Sequence, residues 1–122
     1  MGLAGFDKPV GIERILPRYQ FEVRMRIEVV RERETRLTEG WARDLSESGL
    51  GAFVGAELFV GELATLRVPL PNQIELVIPA KITRNVGTEY GFQFTALSPV
   101  QRDQLRSVMV RSKIITSSQA SD

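Results

Sequence analysis

Apolar and polar residues alternate with a period of two along most of this chain. From Gln20 onward, Phe21, Val23, Met25, Ile27 and Val29 face one way, while Gln20, Glu22, Arg24, Arg26 and Glu28 face the other. This pattern marks a strand with one buried face. The charged run Arg31-Glu32-Arg33-Glu34 predicts a solvated strand end and a hairpin, after which a second strand continues through Leu37, Gly40, Trp41 and Arg43. Turn chemistry interrupts at Asp44-Leu45-Ser46-Glu47-Ser48-Gly49. A short apolar strand follows from Leu50 to Val54, and Gly55 and Gly61 bracket another brief apolar segment. Alternation returns through Leu66, Val68 and Leu70 and stops at Pro71-Asn72. A long strand then runs from Ile74 to about Asn85, and Val86-Gly87-Thr88 turns the chain into a last strand at Tyr90-Gly91-Phe92-Gln93-Phe94.

Near the end the period changes. Ser98-Pro99-Val100-Gln101 carries an N-cap serine, proline at the first helical position and glutamine three residues after the cap. Leu105, Val108 and Met109 then fall on one helical face, with Arg102, Arg106 and Arg111 on the surface. Six or so short strands followed by one helix predict an all-β, six-stranded antiparallel barrel with a C-terminal α-helix. Domain limits follow from the same pattern. Residues 1–13 have no periodicity and contain three glycines, which predicts a flexible arm. Residues 14–113 form the domain, and the polar residues 114–122 form a disordered tail. The strand-borne aromatics are expected at inward positions, with Trp41 packed in the core or on the barrel wall rather than serving as a base-stacking platform.

Composition narrows the function. The chain has 122 residues with 43% hydrophobic, enough for one domain with its own core. Its net charge of +1 argues against a protein that coats DNA or an anionic membrane. With neither cysteine nor histidine there is no disulfide, no thiolate chemistry, no Cys/His metal site and no histidine base. No acid–base pair at a sensible spacing can be named, so no catalytic residue, metal or cofactor is assigned and the protein is read as a non-enzyme. No stretch approaches the ~20 apolar residues of a membrane helix, and the first residues lack the pattern of a signal peptide. The expected location is therefore the cytoplasm. Arginine supplies 13 of the 16 basic residues. Its planar fork of donors matches phosphate oxygens and guanine edges, which suits a recognition surface.

Two clusters carry that chemistry. Arg14-Ile15-Leu16-Pro17-Arg18 places two guanidinium groups four residues apart, with Pro17 disfavouring helix at Leu16. Asp44, Ser46 and Gly49 stand at the end of the second strand. Arginine can donate bidentate hydrogen bonds to phosphate or to guanine O6 and N7. The aspartate can accept from the N–H groups of a guanine, Ser46 adds a donor and an acceptor, and Gly49 permits close backbone approach or a positive φ.

The R-x-x-x-R at Arg14 and Arg18, together with the D-x-S-x-x-G at Asp44, Ser46 and Gly49, resembles the PilZ family of cyclic di-GMP receptor domains. The likeness spans about residues 13 to 110, and Gly49-Leu50-Gly51, Ala80-Lys81-Ile82-Thr83-Arg84 and the Tyr90–Phe94 strand share its texture. The resemblance implies a six-stranded antiparallel barrel with a terminal helix. It also implies that Arg14 and Arg18 contact phosphate and guanine while Asp44, Ser46 and Gly49 complete the base pocket. Arg43, just before the turn, and Arg84, on a strand from which similar domains reach the ligand, are further candidates. Many relatives carry an arginine immediately before the R-x-x-x-R, where this chain has Glu13. An anion there should repel additional phosphate, so one nucleotide per chain, or a weakly held second copy, is expected rather than a tight intercalated pair. The expected partners are cyclic di-GMP and a downstream protein, without DNA binding or membrane insertion. The alternative is a PilZ-like adaptor that binds protein and no nucleotide.

Overall fold

The computed structural model describes residues 17–112 and residue 114. The predicted arm at 1–13, Arg14 and almost all of the predicted tail lie outside the described residues. Six strands and one helix follow in order: β1 (Tyr19–Arg31), β2 (Glu34–Leu45), β3 (Gly49–Val54), β4 (Leu63–Pro69), β5 (Glu75–Val86), β6 (Glu89–Phe94) and α1 (Pro99–Arg111). Every pairing is antiparallel, and the strands close into a barrel in the order β1-β2-β3-β6-β5-β4. This is the architecture predicted from the alternation. The brief apolar segment after Gly55 is not a strand but a loop, and Leu58 alone among its large side chains is driven inward.

Alternation fills the lumen. Met25, Ile27, Leu66, Ile78 and Ile82 are almost wholly buried, whereas the residues between them face out. Burying aliphatic side chains of this size contributes roughly 1.5–3 kcal/mol each. The β1–β2 hairpin turns at Glu32 and Arg33, both with positive φ (53° and 70°). Side chains other than glycine or asparagine are uncommon there, so the turn depends on the long paired strands that flank it. Arg31, expected to be solvated, instead reaches across to the β3–β4 loop. Its Nε and Nη2 donate to the two Glu62 carboxylate oxygens at 2.6 and 2.9 Å, and Nη2 also donates to the Glu57 carbonyl.

The helix forms as its cap predicts. Ser98 Oγ accepts from the Gln101 backbone N–H, and the Gln101 side chain accepts from the Ser98 N–H, both at 3.1 Å. Gln101 Nε2 also donates to the Val77 carbonyl, which pins the start of α1 to β5. Leu105, Val108 and Met109 are buried on one face, and Arg102 and Arg106 stay exposed.

The strands at the Asp44 end of the barrel are irregular. The β2–β3 register shifts between Ala42 and Asp44, and the β5–β6 register shifts between Ile82 and Arg84. In each case two residues oppose one across the ladder, which is a β-bulge. β1 carries a matching shift between Gln20 and Val23.

Candidate functional site

The two bulges decide which way the polar side chains point. In β2, Gly40 and Ala42 face the lumen, and strict alternation would send Asp44 there as well. Arg43 is the extra residue, so Leu45 takes the lumen position opposite Leu50, while Asp44 pairs with Gly51. Leu50 and Ala52 point inward, so Gly51 presents the outer wall. A Cβ on Gly51 would stand 3.1 Å from Asp44 Oδ1, which puts the carboxylate on that wall. β5 repeats the device. Ile78, Ala80 and Ile82 face the lumen, and Thr83 is the extra residue that sends Arg84 outward, opposite Gly91. A Cβ on Gly91 would stand 3.3 Å from Arg84 Nε.

Asp44, Gly51, Gly91 and Arg84 therefore form one row across four neighbouring strands, β2, β3, β6 and β5. An acid and an arginine stand at its ends, and two glycines without side chains make the floor. Strands lie about 4.8 Å apart, so the ends are separated by about 14 Å of backbone. Both side chains lean inward over the glycines. A cleft of about 260 Å3 opens beside the Gly91–Arg84 half of this row, with Arg18, Ser46, Ser48, Gly49, Arg84 and Gly91 among its lining.

Arg18, just before β1, joins this corner from the chain's other end. Its Nη2 donates to Asp44 Oδ1, and its side chain is about half exposed while that of Asp44 is nearly covered. Ser46 is buried. Its backbone N–H donates to the Gly49 carbonyl at 2.8 Å, and its hydroxyl stands 3.4 Å from Ser48 Oγ and 3.3 Å from the Ser48 nitrogen. Gly49 is needed for a steric reason. A Cβ there would sit 2.0 Å from the Phe92 carbonyl oxygen of β6, so the close approach of the two strands permits no side chain. Close approach, rather than a positive φ, explains this glycine.

The structure thus brings Arg18, Asp44, Ser46 and Gly49 together and adds Arg84 on the facing wall. Arg14 lies outside the described residues. Arg43 turns away from the cleft: Nη1 donates to Glu89 Oε2 at 2.7 Å, and its guanidinium lies 4.8 Å above the Phe53 ring. Trp41 and Phe53 correct the expectation that the aromatics pack inward. They are direct register partners on the outer face and are 44% and 42% exposed. Sequence reasoning also missed Gly51 and Gly91, whose only signal is a missing side chain inside otherwise regular strands. A larger cavity of about 700 Å3 lies elsewhere, between α1, the start of β1 and the Pro69–Asn72 loop. Its exposed lining is mostly apolar.

This is a β-barrel module whose polar cleft lies on the outer wall rather than in the lumen. The sequence matches the PilZ domain over residues 13–111, and the chain belongs to that family. PilZ domains act as cyclic di-GMP receptors or adaptors in regulation rather than as enzymes. No curated protein matches the sequence. Among solved structures, the fold is similar to the PilZ domain of CeSA from a cellulose-synthesizing bacterium, with a TM-score of 0.57 and 22% identity over 76% of this chain and 94% of that one. It is also similar to the PilZ domain of YcgR from Escherichia coli, solved with cyclic di-GMP (TM-score 0.63, 17% identity, 80% of this chain and 88% of that one). A third similar structure is the inhibitor of motility MotI (DgrA) of Bacillus subtilis (TM-score 0.63, 17% identity), of which this chain spans 49% while 80% of this chain is covered. Among the described residues no helix is long and apolar enough to cross a membrane.

Proposed function

We propose that this chain is a receptor for cyclic di-GMP and that the nucleotide binds in the outer-wall cleft. The observation that carries the reading is the meeting of Arg18 with Asp44 at one end of a glycine-floored row that Arg84 closes at the other. A carboxylate has two oxygens and about four acceptor positions, so Asp44 can hold Arg18 through Oδ1 and still accept from guanine N–H groups. Ser46 and Ser48 supply hydroxyls beside it. Arg84 faces the same floor and can donate to phosphate or to the guanine O6/N7 edge. Arg14 would add a second guanidinium from the segment before β1, and closure of that segment over the nucleotide would be the signal read by a downstream protein in the cytoplasm.

Each charge-assisted hydrogen bond contributes roughly 1.5–3 kcal/mol. After the costs of association, a net near −8 kcal/mol corresponds to roughly micromolar affinity. Glu13 directly precedes Arg14 in the sequence, and an anion at that position would favour one ligand per chain. The test is titration calorimetry with cyclic di-GMP, cyclic di-AMP and GTP. Binding of one cyclic di-GMP per chain, with weak or no response to the other two, is the expected result. An absence of heat with cyclic di-GMP, or equal binding of cyclic di-AMP, would refute the reading.

A further inference from the structure

Resting on that reading, we infer that Trp41, Phe53, Arg24 and Glu39 form a second base subsite, next to the Asp44 cleft, that receives the other purine of the same dinucleotide. Arg24, Trp41 and Phe53 are successive register partners across β1, β2 and β3, all on the outer face. With Glu39 and Gly40 they line a shallow hollow of about 320 Å3. Two large aromatic side chains standing side by side and both over 40% exposed forgo burial that the lumen would have given them. A flat π-system laid on them would recover it, and base–aromatic stacking tolerates any nucleobase.

The polar groups around the rings fit a purine edge. Among the described residues, Arg24 and Glu39 make no ion pair and no side-chain hydrogen bond. They therefore leave an arginine fork suited to O6 and N7, and a carboxylate suited to the N–H groups, on either side of Trp41. The hollow lies on the same outer wall as the first site, across the Asp44–Gly51 end of the row. Phe53 is two residues along β3 from Gly51, about 7 Å, and Arg43 lies on Phe53 with its guanidinium tied to Glu89.

Trp41 is the only tryptophan in the chain, so its emission reports on this hollow alone. Cyclic di-GMP is titrated into the full-length protein and into the Trp41→Ala, Trp41→Phe and Phe53→Ala variants, followed by calorimetry and, where Trp41 remains, by fluorescence. The expected result is saturable quenching with the calorimetric midpoint. Affinity should fall about tenfold or more in Trp41→Ala and be largely retained in Trp41→Phe, with melting temperatures close to that of the parent. Calorimetric binding with unchanged emission and an undiminished Trp41→Ala affinity would overturn the subsite and leave the receptor reading standing. No binding by the parent protein would sink both. Emission that follows protein concentration, together with sedimentation as a dimer, would make the face a contact between copies and overturn the subsite.

Discussion

Arg18 Nη2 donates to Oδ1 of Asp44, joining residues 26 positions apart in the chain. The contact carries an arginine from the leader segment to the carboxylate that a bulge has turned onto the barrel's outer wall. It sets the corner in which the proposed ligand would rest, and it separates cleanly into parts by mutation.

Replacing Arg18 with alanine removes the donor without adding charge. Its side chain is half exposed, so stability should change little, with a Tm shift of no more than a few degrees. Affinity for cyclic di-GMP should fall by roughly tenfold to a hundredfold. Asp44→Asn keeps the shape of the acceptor but turns one oxygen into a donor, so it should lower the preference for cyclic di-GMP over cyclic di-AMP. Calorimetry beside thermal melting reads both effects.

Gly49 and Gly51 should respond in opposite ways to alanine. At Gly49 the added Cβ meets a backbone oxygen at 2.0 Å, and only separation of β3 from β6 relieves it. A loss of about 3 kcal/mol, seen as a Tm drop of roughly 10 °C or more, is the expected outcome. At Gly51 the Cβ meets the Asp44 carboxylate at 3.1–3.3 Å, a side chain that can shift by a few tenths of an ångström. Melting should be nearly unaffected there, while nucleotide affinity falls by about tenfold because the acceptor is displaced.

Arg84→Ala tests the far wall of the cleft. Arg84 is an exposed strand residue at the end of β5, so the barrel should keep its melting temperature. Affinity should drop by about tenfold or more if its donors meet the ligand. Arg106→Ala, on the exposed face of α1, is the matched control and should bind as the parent does.

Acid stability should trace Glu62. The hydrogen bond from Arg31, helped by the Phe59 N–H, holds its carboxyl below the usual value of 4.5 against the opposing effect of burial. A carboxyl with a depressed folded-state pKa stabilises the fold above its unfolded pKa and loses that contribution as pH falls through the folded value. The Tm should therefore decline on acidification below about pH 4.5. Glu62→Gln should lower the Tm at neutral pH and flatten the acid limb, as thermal melts from pH 7 to 3 would record.

The alternation of Phe21 to Val29 and of Leu66 to Leu70 was enough to predict strands with one buried face, and Ser98-Pro99-Val100-Gln101 was enough to start the helix. Both signals are local: a period of two and a cap depend only on neighbours in the chain. The spacing of arginines and of Asp44, Ser46 and Gly49 likewise marked the chemistry of the site. What the sequence by itself could not determine was direction. By parity Asp44 and Arg84 belong to the lumen, and only the extra residues Arg43 and Thr83, absorbed as bulges against β3 and β6, turn them to the outer wall. A bulge is a property of two strands in register and leaves little trace in one strand's pattern. For the same reason the row from Asp44 through Gly51 and Gly91 to Arg84, and the pairing of Trp41 with Phe53 beside it, came into being only when the barrel closed.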